Sequence, residues 1–200
     1  PHLLKGMLSI SGWTMVQSFI SVSIWFIFFL AIEHLGERPL AVTNIVRNIS
    51  ALLIMVISAF ATTAGALISN QIGAGEQRCL FKTCGMTLKL TYAILIPLLI
   101  ILCLFPESVL RAFTDSPSLI AASVNSVYVM ASSTLIMAPS FILFNAVSGT
   151  GNTKAGFIME MISLAVYTAV IYYGIIRLKP DVALCWFSEH VYGVTLIILA

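Results

Sequence analysis

Residues 7–32 read MLSISGWTMVQSFISVSIWFIFFLAI, an uncharged stretch that closes on Glu33, Gly36, Glu37, Arg38 and Pro39. A helix needs about 20 apolar residues to cross a hydrocarbon core of about 30 Å, and this run has that length with apolar side chains all round. Gly and Pro punctuate its end. Applied outward, the same measure divides the whole chain. A second helix is predicted at about 48–72, closing on Gly73 and Gly75 ahead of Glu76, Arg78 and Lys82. A third runs over about 86–105, with Lys89 near its start, where a long side chain can snorkel to the interface, and Pro106 at its end. A fourth, about 118–147, lies in the uncharged stretch Ser116–Thr153, and Pro139 inside it predicts a kink. A fifth covers about 155–176 and a sixth about 183–200.

Composition supports this division. The 200 residues are 60% hydrophobic and 9% charged, with mean hydropathy +1.04, whereas an ordinary soluble domain carries about 25% charged residues. A water-facing surface built from these residues would be largely apolar. In lipid the backbone must satisfy its own hydrogen bonds, which leaves helices and closed barrels. A barrel would show alternating segments of about ten residues, which are missing. The fold class expected is an all-α membrane protein, a bundle of about six transmembrane helices in which chain neighbours are antiparallel. The chain starts at Pro1 and stops at Ala200, inside the apolar run Gly193–Ala200. The expectation is therefore a single helical lobe over 1–200, cut at both ends. The first run is too long for a cleavable signal peptide and lacks the small-residue cleavage site.

Several function classes are excluded or weakly supported. Ten Lys and Arg stand against eight Asp and Glu, spread thinly, so no basic face for nucleic acid exists. Cys79, Cys84, Cys103 and Cys185 form no C-x-x-C pair and have no histidine at zinc spacing, so no metal or cofactor is expected. The histidines His2, His34 and His190 lie at helix ends or the terminus, with no H-E-x-x-H pair. An enzyme would need a convergent set of His, Asp or Ser, and none is seen. The loop Gly149-Thr150-Gly151-Asn152-Thr153-Lys154 lacks phosphate-loop spacing and is a glycine-rich turn between two helices. Lys and Arg divide five and five between the two membrane faces, so the positive-inside rule decides nothing. The densest cluster, Arg78, Lys82 and Lys89, marks the cytoplasmic side.

Polar groups inside the runs are where function is expected, because an ionised side chain at the bilayer centre costs about 2.5–3.5 kcal/mol even on the lenient insertion scale. Glu160 is the one carboxylate inside a run. Ser163 and Tyr167 follow at spacings of three and four, on the same helix face. Two readings stand: Glu160 sits near the interface, bonded to a neighbouring helix or to Lys154, or it is a proton or ion site. Helix 1 shows Ser11, Thr14, Gln17, Ser18 and Ser21 on one face, where packing and binding both remain open. Helix 2 enters with Asn44, Arg47 and Asn48 on one face, Arg47 as an interfacial anchor, and continues with Ser58, Thr62, Gly65 and Ser69 as a close-packing seam. Helix 4 offers Asn125, Tyr128 and Ser132, with Asn145 beyond the proline, where broken helices can meet substrate or ion. The candidate substrate- or ion-binding residues are therefore Glu160, Gln17, Ser21, Asn48, Tyr128, Asn145 and Tyr167, with no catalytic or metal-ligating set.

The loops carry a resemblance. The run Glu33-His34-Leu35-Gly36-Glu37-Arg38-Pro39 through Ile45, then Ile72-Gly73-Ala74-Gly75-Glu76, then Phe105-Pro106-Glu107 through Ala112-Phe113-Thr114-Asp115-Ser116-Pro117, and finally Val147-Ser148-Gly149-Thr150-Gly151-Asn152-Thr153, resembles the second lobe of multidrug and toxic compound extrusion (MATE) transporters. Each motif is weak alone, but four in order at helix-sized intervals cover nearly the whole chain. The resemblance implies a cation-coupled antiporter, driven by H+ or Na+, that exports drugs or other amphipathic small molecules by alternating access. It implies a first lobe as partner, a lipid bilayer around both, a multi-pass place in the cell (inner) membrane, and cytoplasmic Arg78 and Gly149 loops. Some members carry a coupling Glu midway along the seventh helix and an Asp in the tenth; by spacing these positions fall here near Ser21 and Pro139, neither of which is acidic. Coupling would then rest on Glu160 or on the first lobe. The alternatives are a lipid-linked oligosaccharide flippase of the same superfamily, which a cationic groove would favour, and a non-transporting membrane scaffold. The parent gene is expected to encode another six-helix block upstream of Pro1; reading that DNA and finding a soluble domain there would count against the transporter assignment.

Overall fold

A computed structural model describes the backbone of residues 2–200 and the side chains of those residues except 2–11, 13, 14, 17, 24 and 77. The uncharged runs are helices, and no described residue lies in a strand. In chain order they are α1 (His2–Glu33), α2 (Glu37–Gly73), a 3-10 turn (Gln77–Cys79), α3 (Leu80–Leu104), short α4 (Pro106–Leu110), α5 (Pro117–Gly149), α6 (Thr153–Val170), α7 (Val182–Cys185) and α8 (Ser188–Leu199). From Ile171 to Arg177, α6 continues as a π-helix. Among the described residues five spans are long and apolar enough to cross a membrane: α2, α3, α5, α6 with its π-helical extension, and α7 with α8. The sixth long helix, α1, has its described apolar part at Ser18–Glu33.

Two starts differ from the sequence expectation. α2 begins at Glu37 rather than near 48, and α3 at Leu80 rather than near 86. Charged residues mark the membrane interface but do not stop a helix. Gly36, at φ 119°, makes the break after α1, and Pro39 sits in the first turn of α2, where no donor is needed. The added turns are held by burial of Val42, Ile45, Val46 and Ile49 at helical spacing in the main core.

α2 and α5 form the central pair; α3 covers both, α6 and α8 pack on α5, and α1 lies on α6 while touching α2. α2 and α5 run parallel, and their C-terminal turns come within backbone contact. A Cβ on Gly65 would sit 2.8 Å from the Asn145 carbonyl oxygen, and one on Gly149 would overlap the carbonyl of Gly65. Gly65 is thus a seam residue, as its spacing suggests, but the rest of that seam is corrected. Ile57, Ala61, Ala64 and Ile68 are buried, whereas Thr62 and Ser69 are exposed. The packing face is one residue round from the hydroxyl face, because small apolar side chains allow the approach without a polar group to satisfy.

α5 continues as a helix through Pro139. Proline cannot donate to the carbonyl four residues back, Leu135, which in lipid has no water to turn to. The Tyr92 hydroxyl of α3 donates to that oxygen at 2.7 Å. At the Gly149–Lys154 turn, Gly151 adopts φ 83° and the Asn152 side chain accepts the Ala155 N–H at 3.2 Å, capping α6. Large apolar side chains such as Phe19, Leu52, Ile100 and Ile198 are exposed, the inverse of a water-soluble surface.

Gly149→Ala is expected to lower the stability of the detergent-solubilised protein by about 1–3 kcal/mol through overpacking, whereas Gly85→Ala, around which there is open space, leaves it unchanged or slightly raised; thermal unfolding in detergent compares them. Tyr92→Phe orphans the Leu135 carbonyl and is expected to cost about 1–3 kcal/mol in the same measurement.

Candidate functional site

Glu160 lies on α6 and is 4% exposed. Its Oε1 accepts a hydrogen bond from the Ser21 hydroxyl of α1 at 2.7 Å. The Tyr192 hydroxyl of α8 bridges both carboxylate oxygens, at 3.0 Å to Oε1 and 3.1 Å to Oε2. Ser21 and Tyr192, not Lys154, therefore hold Glu160, and three helices meet at its side chain.

A second buried carboxylate corrects the expectation that Glu160 stands alone. Glu189, on α8, is 8% exposed, and its Oε1 accepts a hydrogen bond from the Tyr167 hydroxyl of α6 at 2.7 Å. The arrangement follows from two antiparallel neighbours. Glu160 and Tyr167 lie two turns apart on one face of α6, a rise of about 10 Å, and Glu189 and Tyr192 lie one turn apart on the facing side of α8. Each acid therefore meets the other helix's tyrosine. The two tyrosine rings touch edge to face, with centroids 5.7 Å apart.

Two cavities adjoin here. One of about 380 Å³ is lined by Glu160, Tyr192 and Ser21 with Ser18, Ser58, Thr62 and Asn145, and by apolar side chains including Phe141 and Phe144. The other, of about 240 Å³, is lined by Glu189, Tyr167, Tyr192 and Ser21 with Trp25, Ile54, Met137 and Phe141. Neither lining includes a Lys or Arg among the described residues. A third hollow, about 630 Å³, is an open groove along α2 between Met55 and Asn70. The Arg47 guanidinium lies over the rings of Phe29 and Trp25, at 5.2 and 5.9 Å from their centroids, anchoring α2 to α1.

Of the candidates named from sequence, Glu160, Ser21, Asn145 and Tyr167 come together around the two cavities. Asn145 Nδ2 donates to the Phe141 carbonyl at 2.9 Å. Asn48 is exposed on α2, and Tyr128 reaches the Cys103 carbonyl of α3 at 3.5 Å; neither is brought to the carboxylates. The side chains of Ser11, Thr14 and Gln17 lie outside the described residues. No group of three or more His, Cys, Asp or Glu able to hold a metal occurs among the described residues. The arrangement sets one carboxylate among hydroxyls from several helices, with no Lys or Arg among the described lining residues.

Residues 14–173 match the MatE family model. The chain belongs to the MatE family. Solved structures share the fold. A Vibrio cholerae MATE transporter, VcmN, in its bent form superposes with TM-score 0.87 at 16% identity, over 99% of this chain and 45% of that one. A MOP superfamily transporter from Pyrococcus furiosus gives TM-score 0.86 at 14% identity, over 98% of this chain and 44% of that one. A multidrug resistance MATE family transporter in an outward-facing conformation gives the same score, identity and coverage. The chain thus spans less than half the length of the transporters it matches, as one lobe does. No curated protein matches it at a significant level.

Within this MatE lobe, Ser21, near which spacing from Leu35-Gly36 leads one to expect a coupling Glu in some members, bears a hydroxyl. Its hydroxyl is bonded to Glu160. The carboxylate at this junction is carried by α6. Tyr192 and Glu189 were not among the sequence candidates. The available signal was Glu189 with Tyr192 three residues on, an acid and a phenol sharing one face of the last span.

Proposed function

We propose that this lobe belongs to a cation-coupled antiporter that exports drugs or other amphipathic small molecules by alternating access, with Glu160 holding the coupling proton or sodium ion. The observation that carries this reading is the Glu160 carboxylate, bonded by Ser21 and Tyr192 from two other helices and facing a cavity of about 380 Å³. A charge there has no cationic partner in the cavity wall, so uptake and release of a cation change the cost of keeping the site closed. That dependence is what couples an ion gradient to a conformational cycle.

The oxygens of Ser18, Ser58, Thr62 and Asn145 in the same wall suit Na+ as well as H+. The first lobe would stand against the open groove that runs along α2 from Met55 to Asn70, and substrate would pass between the lobes. The protein would sit in the cell (inner) membrane with the Arg78 and Gly149 loops cytoplasmic. The flippase alternative asks for a cationic groove, and the cavity walls hold carboxylates instead, which favours a cationic or amphipathic cargo.

The test uses the full-length transporter in proteoliposomes. With ethidium as probe and either a proton or a sodium gradient imposed, Glu160→Gln is expected to lower gradient-driven flux by roughly tenfold or more, the order of effect of removing a buried functional charge. Flux that keeps its rate and its dependence on both gradients would remove Glu160 from the mechanism.

A further inference from the structure

Glu189 has no part in the reading just given, yet it is as deeply placed as Glu160. One of its oxygens is held by Tyr167 at 2.7 Å, and its side chain opens on the cavity of about 240 Å³. That cavity meets the Glu160 cavity at Ser21, Val22, Phe141 and Tyr192, which line both. A carboxylate serving only to tie helices together would be enclosed by its partners; this one lines a cavity that adjoins the cavity of a second acid.

The titratable groups that line this cavity with Glu189 are Tyr167 from α6 and Tyr192 from its own helix, and Glu160 lines the adjoining one. The residues that α1, α2 and α5 contribute to the cavity, among those described, are Ser21, Val22, Trp25, Ile54, Met137 and Phe141, none of which is charged. Unpaired, an ionised carboxylate in such a place costs several kcal/mol. A metal cation would need about six oxygens around it, and the wall here offers few beyond the acid and two phenols. A proton needs only the acid. The cavity has room for several waters at about 30 Å³ each, with Ser21, Tyr167, Tyr192 and Glu189 as polar partners. Tyr192, which bonds Glu160 and lines both cavities, links the surroundings of the two acids, and acids that interact titrate as a coupled pair.

We propose that Glu189 is a second proton-holding site of this lobe, exchanging its proton with Glu160 past Tyr192, whose side chain lines both adjoining cavities. The step is a proton transfer alone: the O–H bond of the Glu189 carboxyl breaks, one forms at a Glu160 oxygen, and the reverse returns it. The proposal rests on the reading of Glu160 as the coupling acid, and makes it one member of a two-acid unit.

Infrared titration of the carboxyl C=O bands in the purified full-length transporter tests this without a substrate. Two pH-dependent carboxyl bands are expected from this lobe. Glu189→Gln removes one and Glu160→Gln the other, and each substitution shifts the midpoint of the remaining acid by about tenfold in proton affinity, the scale at which neighbouring sites are coupled. Tyr167→Phe keeps the Glu189 carboxyl and shifts the frequency of its band, which gives a readout even where Glu189→Gln folds poorly. Loss of a band with Glu160→Gln but none with Glu189→Gln, together with an unmoved spectrum for Tyr167→Phe, overturns the proposal and leaves the Glu160 reading standing. The reverse pattern, a band lost only with Glu189→Gln, overturns the exchange together with the reading of Glu160.

Discussion

Lipid offers nothing to a backbone donor or acceptor, and this requirement organises the molecule at every scale. It forces the chain into helices, and it also governs what becomes of each polar side chain inside them. The hydroxyls of Thr62, Thr87, Thr91, Thr134 and Thr195 each return to a carbonyl four residues back on their own helix, at 2.7–2.9 Å. These threonines are in this way satisfied locally. Where the ladder itself fails, at Pro139, a neighbouring helix supplies Tyr92. A carboxylate has no such local remedy. It carries no donor when ionised and cannot fold back on a carbonyl, so Glu160 and Glu189 must find hydroxyls on other helices.

That need, combined with helix direction, fixes the site. α1 and α6 run parallel, so Ser21 and Phe28, two turns apart, face Glu160 and Tyr167, also two turns apart; Ser21 bonds Glu160 and the Phe28 ring lies 6.5 Å from that of Tyr167. α6 and α8 run antiparallel, which crosses the acids with the tyrosines. One helix therefore carries an acid for α1 and a phenol for α8, and the lower cluster of Phe28, Ile32, Tyr167, Ile171 and Cys185 holds the three in register.

The sequence makes the bundle legible because hydrocarbon thickness imposes a length that charge spacing reveals directly. The helix starts are less legible, since α2 continues through Arg47 and Asn48 on apolar burial of the opposite face. The site is legible only in part. Glu160, Ser21 and Tyr167 stand out as polar groups in apolar runs. Which way each points is another matter: helices apolar nearly all round, such as α1 and α5, give no stripe to tell a cavity face from a lipid face. Tyr128 and Asn145 are both on α5, yet one meets α3 and the other the Glu160 cavity. Glu189 is hidden for a different reason. It lies in the second turn of a span interrupted at Trp186 and Phe187, where an acid resembles an interfacial charge, and only α7 preceding it places it within the membrane.

Helix direction also sets where the charge of the lobe lies. Ser21 brings a hydroxyl from α1, and the acid it meets at 2.7 Å is carried by α6. That position places the Glu160 carboxylate against α8, within reach of Tyr192, and so next to the cavity that Glu189 lines. Both carboxylates that are buried among the described residues therefore lie where α6 and α8 meet, and each is held by a phenol of the facing helix.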